Sequence, residues 1–277
     1  MGQPELEAVR LDHDAERGVA LLTLDRPEQL NAWNARMTSD LDDALAWADQ
    51  ADDVRAIVVT GEGRAFCAGA DLSAGSDTFT SSRASEADGS DNRTPRLLPH
   101  QIAKPVIAAI NGAAVGVGAT WPMLCDLRFA AVDAKIGFVF NRRGMLPELG
   151  AHAVLPRIVG FSNAADLLLS GRIITGLEAA ALGLVSAAVD RDDLLPLALE
   201  RARDMAANVA PVSAAITKHL LWSGLADTPD SMMEREHRVF GWVGDQADAV
   251  EGVVSFVEKR PPRWSMSATR DFPHDLV

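Results

Sequence analysis

The chain has 277 residues, 48% of them hydrophobic, which is enough for a sizeable core in one large α/β domain or in a domain with an appendage. Its formal net charge of −13 disfavours nucleic acid and anionic membrane as partners, so an anionic ligand would need a local basic patch. The opening residues carry no cationic-then-apolar signal and no run qualifies as a membrane span, which predicts a cytoplasmic protein.

The first part of the chain has the pattern of strands with a crossover helix. Residues 6–11 and 19–24 are predicted to form two short strands joined by a polar turn. Residues 34–51 carry apolar side chains at helical spacing, and residues 54–60 have the continuous apolar pattern of a buried strand. Parallel strands joined by helices indicate an α/β core whose ligand sites lie at strand ends.

A glycine-containing turn, residues 68–71 with the sequence AGAD, follows the strand predicted at 54–60. It is free of bulky side chains, so a ligand could approach its main chain. The alternative is an ordinary turn in which Asp71 caps the following helix. Residues 73–95 are rich in Ser, Asp and Thr, which predicts a mobile surface loop and favours a solvated insertion over a functional lid.

The central stretch, residues 105–126, has the sequence PVIAAINGAAVGVGATWPMLCD. It is predicted to contain a buried strand over 106–110, a glycine-rich turn, and a helix-like segment that ends near Cys125. A strand followed by a glycine turn and a helix start leaves backbone N–H groups unpaired and pointing one way. Such groups can hold a developing negative oxygen.

Three other patterns fit the central stretch poorly, and one alternative stays open. A membrane span is disfavoured because Asn111, the glycines and Pro122 interrupt the run. A dinucleotide fingerprint needs a glycine where Trp121 stands, and a phosphate loop needs a Gly-Lys-Ser/Thr sequence that is missing. The open alternative is a tight connection in which glycine only permits close packing, although the similar turn upstream favours a functional interpretation.

Beyond the central stretch, residues 127–131 and 135–139 are predicted to be short strands. Further on, Pro147 suits a first helical turn and Glu148 suits a helix N-terminus. Glu148 and His152 are four residues apart, so they could share a helix face. The alternative is that Glu148 is only a first-turn acid and His152 a surface residue.

The remainder of the chain has mainly helical periodicity, and residues 185–189 are its only strand candidate. The predicted helical runs are 162–169, 176–182, 191–208, 211–223, 229–243 and 246–257. No internal repeat is present. A helical extension of this kind on an α/β core often serves assembly.

Candidate metal ligands are few. Cys67 and Cys125 are too few for a disulfide framework or a cysteine metal site, and each is predicted to be a small buried apolar residue. The six histidines show no ligand spacing such as His-Glu-x-x-His. We therefore predict that the protein needs no metal.

Six segments of the chain together carry a family resemblance. They are DRPEQLNAWN (25–34), GRAFCAGADL (63–72), KPVIAAINGAAVGVGAT (104–120), CDLRFA (125–130), RRGMLPELGAHAVLPRIVG (142–160) and LLLSGRIITGLEAAALGLVS (167–186). From about Val9 to Trp264 the chain resembles the enoyl-CoA hydratase/isomerase (crotonase) family, with these segments in the family's order. Each segment alone is weak evidence for the family, but six segments in the family's order are specific to it.

The resemblance implies an α/β crotonase-like spiral of β-β-α units over residues 1–195 and a helical trimerisation region over residues 196–277. It also implies a homotrimer or a dimer of trimers acting on a CoA thioester in fatty-acid metabolism, with no cofactor besides the CoA of the substrate. In the family, two backbone N–H groups polarise the thioester carbonyl, and the matching positions here are Ala70 and Val117. Such donors are each worth roughly 3 kcal/mol in comparable sites.

The chain departs from the hydratases of the family at two positions. Those enzymes use two glutamates, and the matching positions here are Thr120 and Phe140, neither of which exchanges a proton at neutral pH. Glu148 matches the single catalytic glutamate of the family's Δ3,Δ2-enoyl-CoA isomerases. Phe140 and Trp121 would give it apolar surroundings that raise its pKa, and His152 would be an auxiliary group outside the usual isomerase pattern.

The resemblance also implies a set of substrate and CoA contacts. These are Arg26, Leu30, Ala68, Asp71, Leu72, Gly116, Pro147, Phe256 and Lys259. The preferred function is 3-enoyl to 2-enoyl-CoA isomerisation with Glu148 as base. The alternatives are another reaction of the family, such as hydration or carbon–carbon hydrolysis with Glu148 and His152, and non-catalytic binding of acyl-CoA.

Overall fold

The computed structural model describes residues 2–79 and 97–277. The mobile loop predicted over 73–95 therefore falls mostly outside the described residues, which include only its first part with a 3-10 turn at Gly75–Asp77. In the described ranges the chain forms ten strands and nine α-helices, and the mixed α/β class predicted from the sequence is confirmed.

The elements are numbered here in chain order. The strands are β1 Val9–Asp14, β2 Val19–Leu24, β3 Ala56–Gly61, β4 Ala65–Cys67, β5 Val106–Ile110, β6 Ala113–Val115, β7 Leu127–Ala131, β8 Lys135–Gly137, β9 Ile173–Thr175 and β10 Ala187–Val189. The α-helices are α1 Ala35–Gln50, α2 Val117–Thr120, α3 Ala151–Val159, α4 Phe161–Ser170, α5 Gly176–Ala181, α6 Arg191–Asn208, α7 Pro211–Ser223, α8 Pro229–Gly244 and α9 Ala247–Glu258.

A six-stranded sheet in the order β1-β2-β3-β5-β7-β10 forms the centre of the molecule. Only β1 is antiparallel to its neighbour, and the other five strands run parallel. Helix α6 packs against β3, β5 and β7. Every residue of β3 and β5 is buried, which explains why both strands have continuous apolar sequences rather than an alternating pattern.

A second sheet has the order β4-β6-β8-β9, in which β4, β6 and β8 are parallel and β9 is antiparallel to β8. All four strands have three residues. The sequence predicted β8 with two extra residues and did not predict β4, β6 or β9, because three residues are too short to show a period. The prediction of a single strand after residue 162 is wrong for the same reason.

Helix α1 shows how the sequence specifies one of these elements. The Asn34 side chain accepts a hydrogen bond from the Met37 backbone N–H at 2.9 Å and so caps the first turn. The predicted apolar stripe that begins with Met37 and Leu41 is buried in the core. Cys67 and Cys125 are buried free thiols, as predicted.

The C-terminal helices join the core through Lys218 on α7, which is 5% exposed. Its Nζ donates hydrogen bonds to the Pro99 and Lys104 carbonyls at 2.6 and 2.8 Å and pairs with Asp126 at 2.8 Å. The predicted boundary between the α/β core and the helical trimerisation region, at residue 195, falls inside helix α6. The trimerisation role of the region after residue 195 stays a prediction. No helix among the described residues is long and apolar enough to cross a membrane.

Candidate active site

The two glycine turns lie next to each other at the carboxyl ends of two parallel strands. Cys67 of β4 pairs with Ala114 of β6, and Ala70 and Val117 each follow their strand partner by three residues. A Cβ on Gly69 would lie 3.1 Å from the carbonyl oxygen of Val115 in the second turn. The two turns are therefore in direct contact, and the sheet register brings the predicted donors Ala70 and Val117 together.

Gly69 and Gly116 adopt conformations that other residues rarely take. Gly69 has φ +105° and Gly116 has φ +59° with ψ −124°, and both values are accessible mainly to glycine. A Cβ on Gly116 would lie 3.7 Å from the Gly69 Cα, so the two turns pack closely against each other. The glycines thus set the direction of the backbone at the residues that follow them.

The backbone N–H groups of Ala70 and Val117 have no acceptor in the described part of the chain. Within residues 2–79 and 97–277, neither donates a hydrogen bond to another protein group. Val117 is the first residue of helix α2, where an N–H has no partner inside the helix. Ala70 is exposed and Val117 is 8% exposed, so the pair lies at the edge of the core. Two such donors side by side suit a carbonyl oxygen that gains negative charge.

The segment before α1 is hydrogen-bonded to the first glycine turn, residues 68–71, and to strand β4 before it. Asn31 is fully buried, accepts from the Arg26 N–H at 2.9 Å, and donates to the Ala65 carbonyl at 2.8 Å. The Ala68 N–H donates to the Leu30 carbonyl at 3.1 Å. Sequence reasoning did not assign Asn31, although it belongs to the DRPEQLNAWN segment that carries the resemblance, because the carbonyls to which its side chain donates lie more than 30 residues away.

Arg26 and Asp71 form an ion pair across this turn, with a nitrogen–oxygen distance of 2.9 Å. The guanidinium also donates to the Ala32 carbonyl. The hydrogen bond from Arg26 lowers the pKa of Asp71, with a further contribution from the Ser73 backbone N–H. Asp71 therefore stays ionised at neutral pH, and the ion pair fixes the residue directly after Ala70.

The two positions that the resemblance matches to the glutamates of the family's hydratases, Thr120 and Phe140, contain no carboxylate. Thr120 is fully buried in α2, and its hydroxyl lies 3.5 Å from the Gly116 carbonyl and 3.4 Å from the Val117 carbonyl of its own helix. Phe140 lies half-buried in a 3-10 helix, Val139–Arg143, that follows β8. Neither residue supplies a carboxylate to this site.

Glu148 lies in the loop between β8 and α3, and the prediction that it begins a helix is wrong. Helix α3 begins at Ala151, because Leu149 and Gly150 both have positive φ values, 54° and 71°, which are incompatible with a helical turn. Pro147 is buried in the same loop, outside any helix. His152 is exposed near the start of α3, so it does not share a helix face with Glu148.

The Glu148 carboxylate combines access with partial desolvation. The residue is exposed, yet burial of the carboxyl among neighbouring protein atoms raises its pKa. Among the described residues, no hydrogen-bond donor or cation pairs with it. A carboxylate with a raised pKa and no partner has the properties of a general base that a substrate can reach.

Glu148→Gln is expected to raise the thermal midpoint at neutral pH. Because burial raises the folded-state pKa of Glu148, the protonated carboxyl favours the folded state below the unfolded pKa of about 4.3. That contribution is lost as the pH rises through the folded pKa, where the charged form stays desolvated. Thermal melts at pH 7 and pH 4 should show a gain for the variant only at pH 7. An equal difference at both pH values would contradict the desolvated carboxylate.

The remaining predicted contact residues divide into two groups. Ala68 and Asp71 belong to the first turn, and Gly116 belongs to the second. Next to the first turn lie Arg26, Leu30 and Leu72. Phe256 and Lys259 lie at the end of α9, where Phe256 is 84% exposed and Lys259 closes the helix with φ 55°. Their predicted contact with CoA involves a neighbouring subunit and stays a prediction.

Two cavities lie away from the glycine turns. One, of about 370 Å³, lies at the amino ends of β3, β5 and β7, and Lys104 and Lys218 contribute to its lining. The other, of about 690 Å³, lies between α7 and α8. Neither is lined by Ala70, Val117 or Glu148. No group of three or more metal-binding side chains occurs in the described part of the chain.

Comparison with known proteins gives consistent matches. Residues 14–267 match the sequence model of the enoyl-CoA hydratase/isomerase family. Enoyl-CoA hydratase ACTT3 of Alternaria alternata is 36% identical over 257 residues, covering 92% of this chain and 86% of that protein. The 1,2-epoxyphenylacetyl-CoA isomerase of Escherichia coli (strain K12) is 34% identical, covering 90% and 96%. The crystal structure of a probable enoyl-CoA hydratase/isomerase from Mycobacterium abscessus matches with a TM-score of 0.83 and 34% identity, covering 95% and 99%.

The two sheets and the helical C-terminal part have the crotonase-like fold that the resemblance implied. The chain belongs to the enoyl-CoA hydratase/isomerase family, and it is an enzyme of that family. The names of its relatives include both hydratases and an isomerase. Membership of the family therefore does not select the reaction, which depends on the residues of the site.

Proposed function

We propose that this enzyme acts on acyl-CoA thioesters and converts 3-enoyl-CoA to 2-enoyl-CoA, with Glu148 as its base. The observation that carries the proposal is the pair of free backbone N–H groups on adjoining turns, at Ala70 and Val117. The raised pKa of the unpartnered Glu148 carboxylate supports the assignment of the base. One relative of similar length is named a 1,2-epoxyphenylacetyl-CoA isomerase, an isomerase of another CoA thioester.

The N–H pair would bind the thioester oxygen of the substrate. Removing a proton from C2 of a thioester moves charge onto that oxygen, and two fixed donors stabilise the resulting enolate. Because the donors belong to the main chain, they depend on the glycine conformations and on the sheet register rather than on particular side chains. This explains why Gly69 and Gly116 occupy the turns.

Glu148 would transfer the single proton that the reaction moves. The carboxylate takes the proton from C2, the electron pair spreads over C2, C4 and the oxygen, and the same carboxyl returns the proton at C4. The double bond then lies between C2 and C3, in conjugation with the carbonyl. One base suffices, and a pKa raised toward neutrality favours both proton steps.

Hydration of 2-enoyl-CoA should be very slow. Adding water requires one group to activate the water and another to deliver a proton, and Thr120 and Phe140 occupy the positions of those groups. Each missing proton-transfer group typically costs ~10²–10⁴ in rate. Incubation with 2-enoyl-, 3-enoyl- and 3-oxoacyl-CoA, with products identified by mass and NMR, tests the proposed reaction. Robust hydration of crotonyl-CoA would contradict it, and cleavage of the 3-oxoacyl substrate would favour carbon–carbon hydrolysis.

The CoA part would bind along the segment before α1 and the first turn, as the resemblance implies. Leu30, Ala68 and Leu72 lie there, and Leu72 is 54% exposed. The Arg26 and Asp71 side chains are paired with each other, so we assign them to the shape of this surface.

Phe256→Asp is expected to weaken a homotrimer and the affinity for CoA together. The side chain is 84% exposed on α9 beside Val257, which is 72% exposed, and a partner subunit would cover such an apolar surface. Light scattering at micromolar concentration measures the assembly, and circular dichroism confirms that the variant keeps its helices. A monomeric parent protein would contradict the trimer.

A further inference from the structure

We propose that Trp33 and Trp121 form a positioning pair that sets the separation of the Ala70 and Val117 N–H groups. The inference rests on the proposed function, in which both groups bind one oxygen. Each tryptophan is attached to one of the two turns through the backbone, and their rings meet in the core. The pair therefore connects the two donors by a route separate from the glycine contact.

Trp33 is fixed to the first turn by two backbone hydrogen bonds. Its N–H donates to the Gly69 carbonyl at 2.8 Å, and its carbonyl accepts from the Asp71 N–H at 2.8 Å. These bonds form a parallel bridge between Trp33 and Ala70. Ala70 uses neither its N–H nor its carbonyl in the bridge, so Trp33 holds the donor from both sides and leaves it free.

Trp121 is fixed to the second turn by the short helix α2. Its backbone N–H donates to the Val117 carbonyl, one helical turn earlier. The side chain is 1% exposed, so a displacement of its ring would have to be accompanied by a shift of the surrounding core. The position of Val117 therefore follows the position of the Trp121 ring.

The two rings are in contact, with centroids 6.0 Å apart and planes inclined at 48°. Trp33 is anchored further because its indole N–H donates to the Thr38 hydroxyl at 2.9 Å. The indole N–H of Trp121 has no acceptor in the described part of the chain. The Trp121 ring is therefore oriented by packing, in which Trp33 is its aromatic neighbour. The positioning role belongs to the apolar ring and not to the indole N–H.

Truncating either ring should change the donor separation, and small displacements in such sites are costly. A shift of about 1 Å at a reacting group can reduce rate 10²-fold. A purely structural role would instead lower stability without a selective effect on the carbonyl. Trp47 offers the matched control, because it is 7% exposed in the same core, on α1, and contacts the His13 ring instead of a glycine turn.

The experiment compares Trp33→Leu, Trp121→Leu and Trp47→Leu in the full chain. Each purified variant is mixed with a conjugated 2,4-dienoyl-CoA, whose absorption band moves to longer wavelength when the thioester carbonyl is polarised. The same variants are assayed for kcat and KM with 3-enoyl-CoA, and their thermal midpoints are measured. The band shift reports the two hydrogen bonds directly and does not require turnover.

The proposal expects Trp33→Leu and Trp121→Leu to lose most of the band shift and roughly 10-fold or more in kcat, with KM changed less than about threefold. Trp47→Leu should lower the thermal midpoint comparably and keep the band shift. A full band shift in both Leu variants, or an equal loss in Trp47→Leu, would overturn the proposal.

Two phenylalanine variants complete the test. Trp121→Phe keeps an aromatic ring and removes only the unpartnered N–H, so it should retain most of the parent's band shift and rate. A loss as large as that of Trp121→Leu would overturn the role of the ring. If the Leu variants do not fold, Trp33→Phe removes the anchor to Thr38, and it should lose part of the band shift, whereas a parent-like band would overturn the proposal.

Failure of the proposed function gives a different result. If the parent shifts the dienoyl-CoA band but does not isomerise 3-enoyl-CoA, the assigned reaction is wrong and the positioning pair is still tested by its variants. If the parent produces no band shift, the N–H pair does not hold a thioester oxygen, and the inference fails with it.

Discussion

Glu148→Gln is expected to lower the turnover of 3-enoyl-CoA by at least ~10²-fold and to leave acyl-CoA affinity nearly unchanged. Glutamine keeps the length and shape of the side chain but cannot accept the C2 proton. Binding free energy would come from the N–H pair and the CoA contacts, which lie on other segments of the chain. Steady-state kinetics and calorimetric titration with a saturated acyl-CoA measure the two quantities separately.

His152→Ala is the matched comparison for this variant. His152 is exposed on α3, while Glu148 lies in the preceding loop, and isomerisation requires only one base. His152→Ala should therefore lower the turnover of 3-enoyl-CoA much less than Glu148→Gln does. If Glu148→Gln stays within a few-fold of the parent, the carboxylate is not the base. An equal loss of turnover in His152→Ala would favour a hydrolytic reaction that uses both groups.

The long elements could be predicted from the sequence because their patterns are complete within one segment. Helices α6 and α7 and strands β2, β5 and β7 have the predicted bounds. Strands β4, β6 and β9 have three residues each, and they are strands only because their partners bind them. Pairing between residues 22 to 48 positions apart leaves no periodic signal in either segment.

The candidate site could likewise be predicted only in part from the sequence. The glycine turns could be recognised because Gly69 and Gly116 mark conformations that other residues avoid. The sequence pattern predicts a helix start at Glu148 because Pro and Glu favour that position, whereas the positive φ of Leu149 delays the helix to Ala151. The hydrogen bonds of Asn31 join distant segments, so no local pattern predicts them.

Gly118→Ala is expected to damage both folding and catalysis. A Cβ at this position would lie 2.1 Å from the Cys67 carbonyl oxygen and 2.8 Å from the Cys67 Cβ, distances that require backbone movement. Helix α2 would have to move away from β4, which would separate Val117 from Ala70. Such overpacking costs about 1–3 kcal/mol or more in the free energy of unfolding, and displacing one donor should lower turnover ~10²-fold or more. Urea unfolding and kcat with 3-enoyl-CoA measure the two effects.

Gly241→Ala provides the control for this substitution. Gly241 lies inside α8, and beyond its chain neighbours and the backbone of its own helix nothing in the described residues lies within 4 Å of an added Cβ, so the new methyl group meets open space. Alanine in a helix interior is favoured over glycine by roughly 1 kcal/mol, so this variant should be slightly stabilised and fully active. A Gly118→Ala variant that matched it in stability and turnover would show that the close contact between α2 and β4 does not position Val117. If Gly118→Ala remains folded but loses activity, displacement of the Val117 donor is the expected cause, and loss of the bound dienoyl-CoA band shift should accompany it.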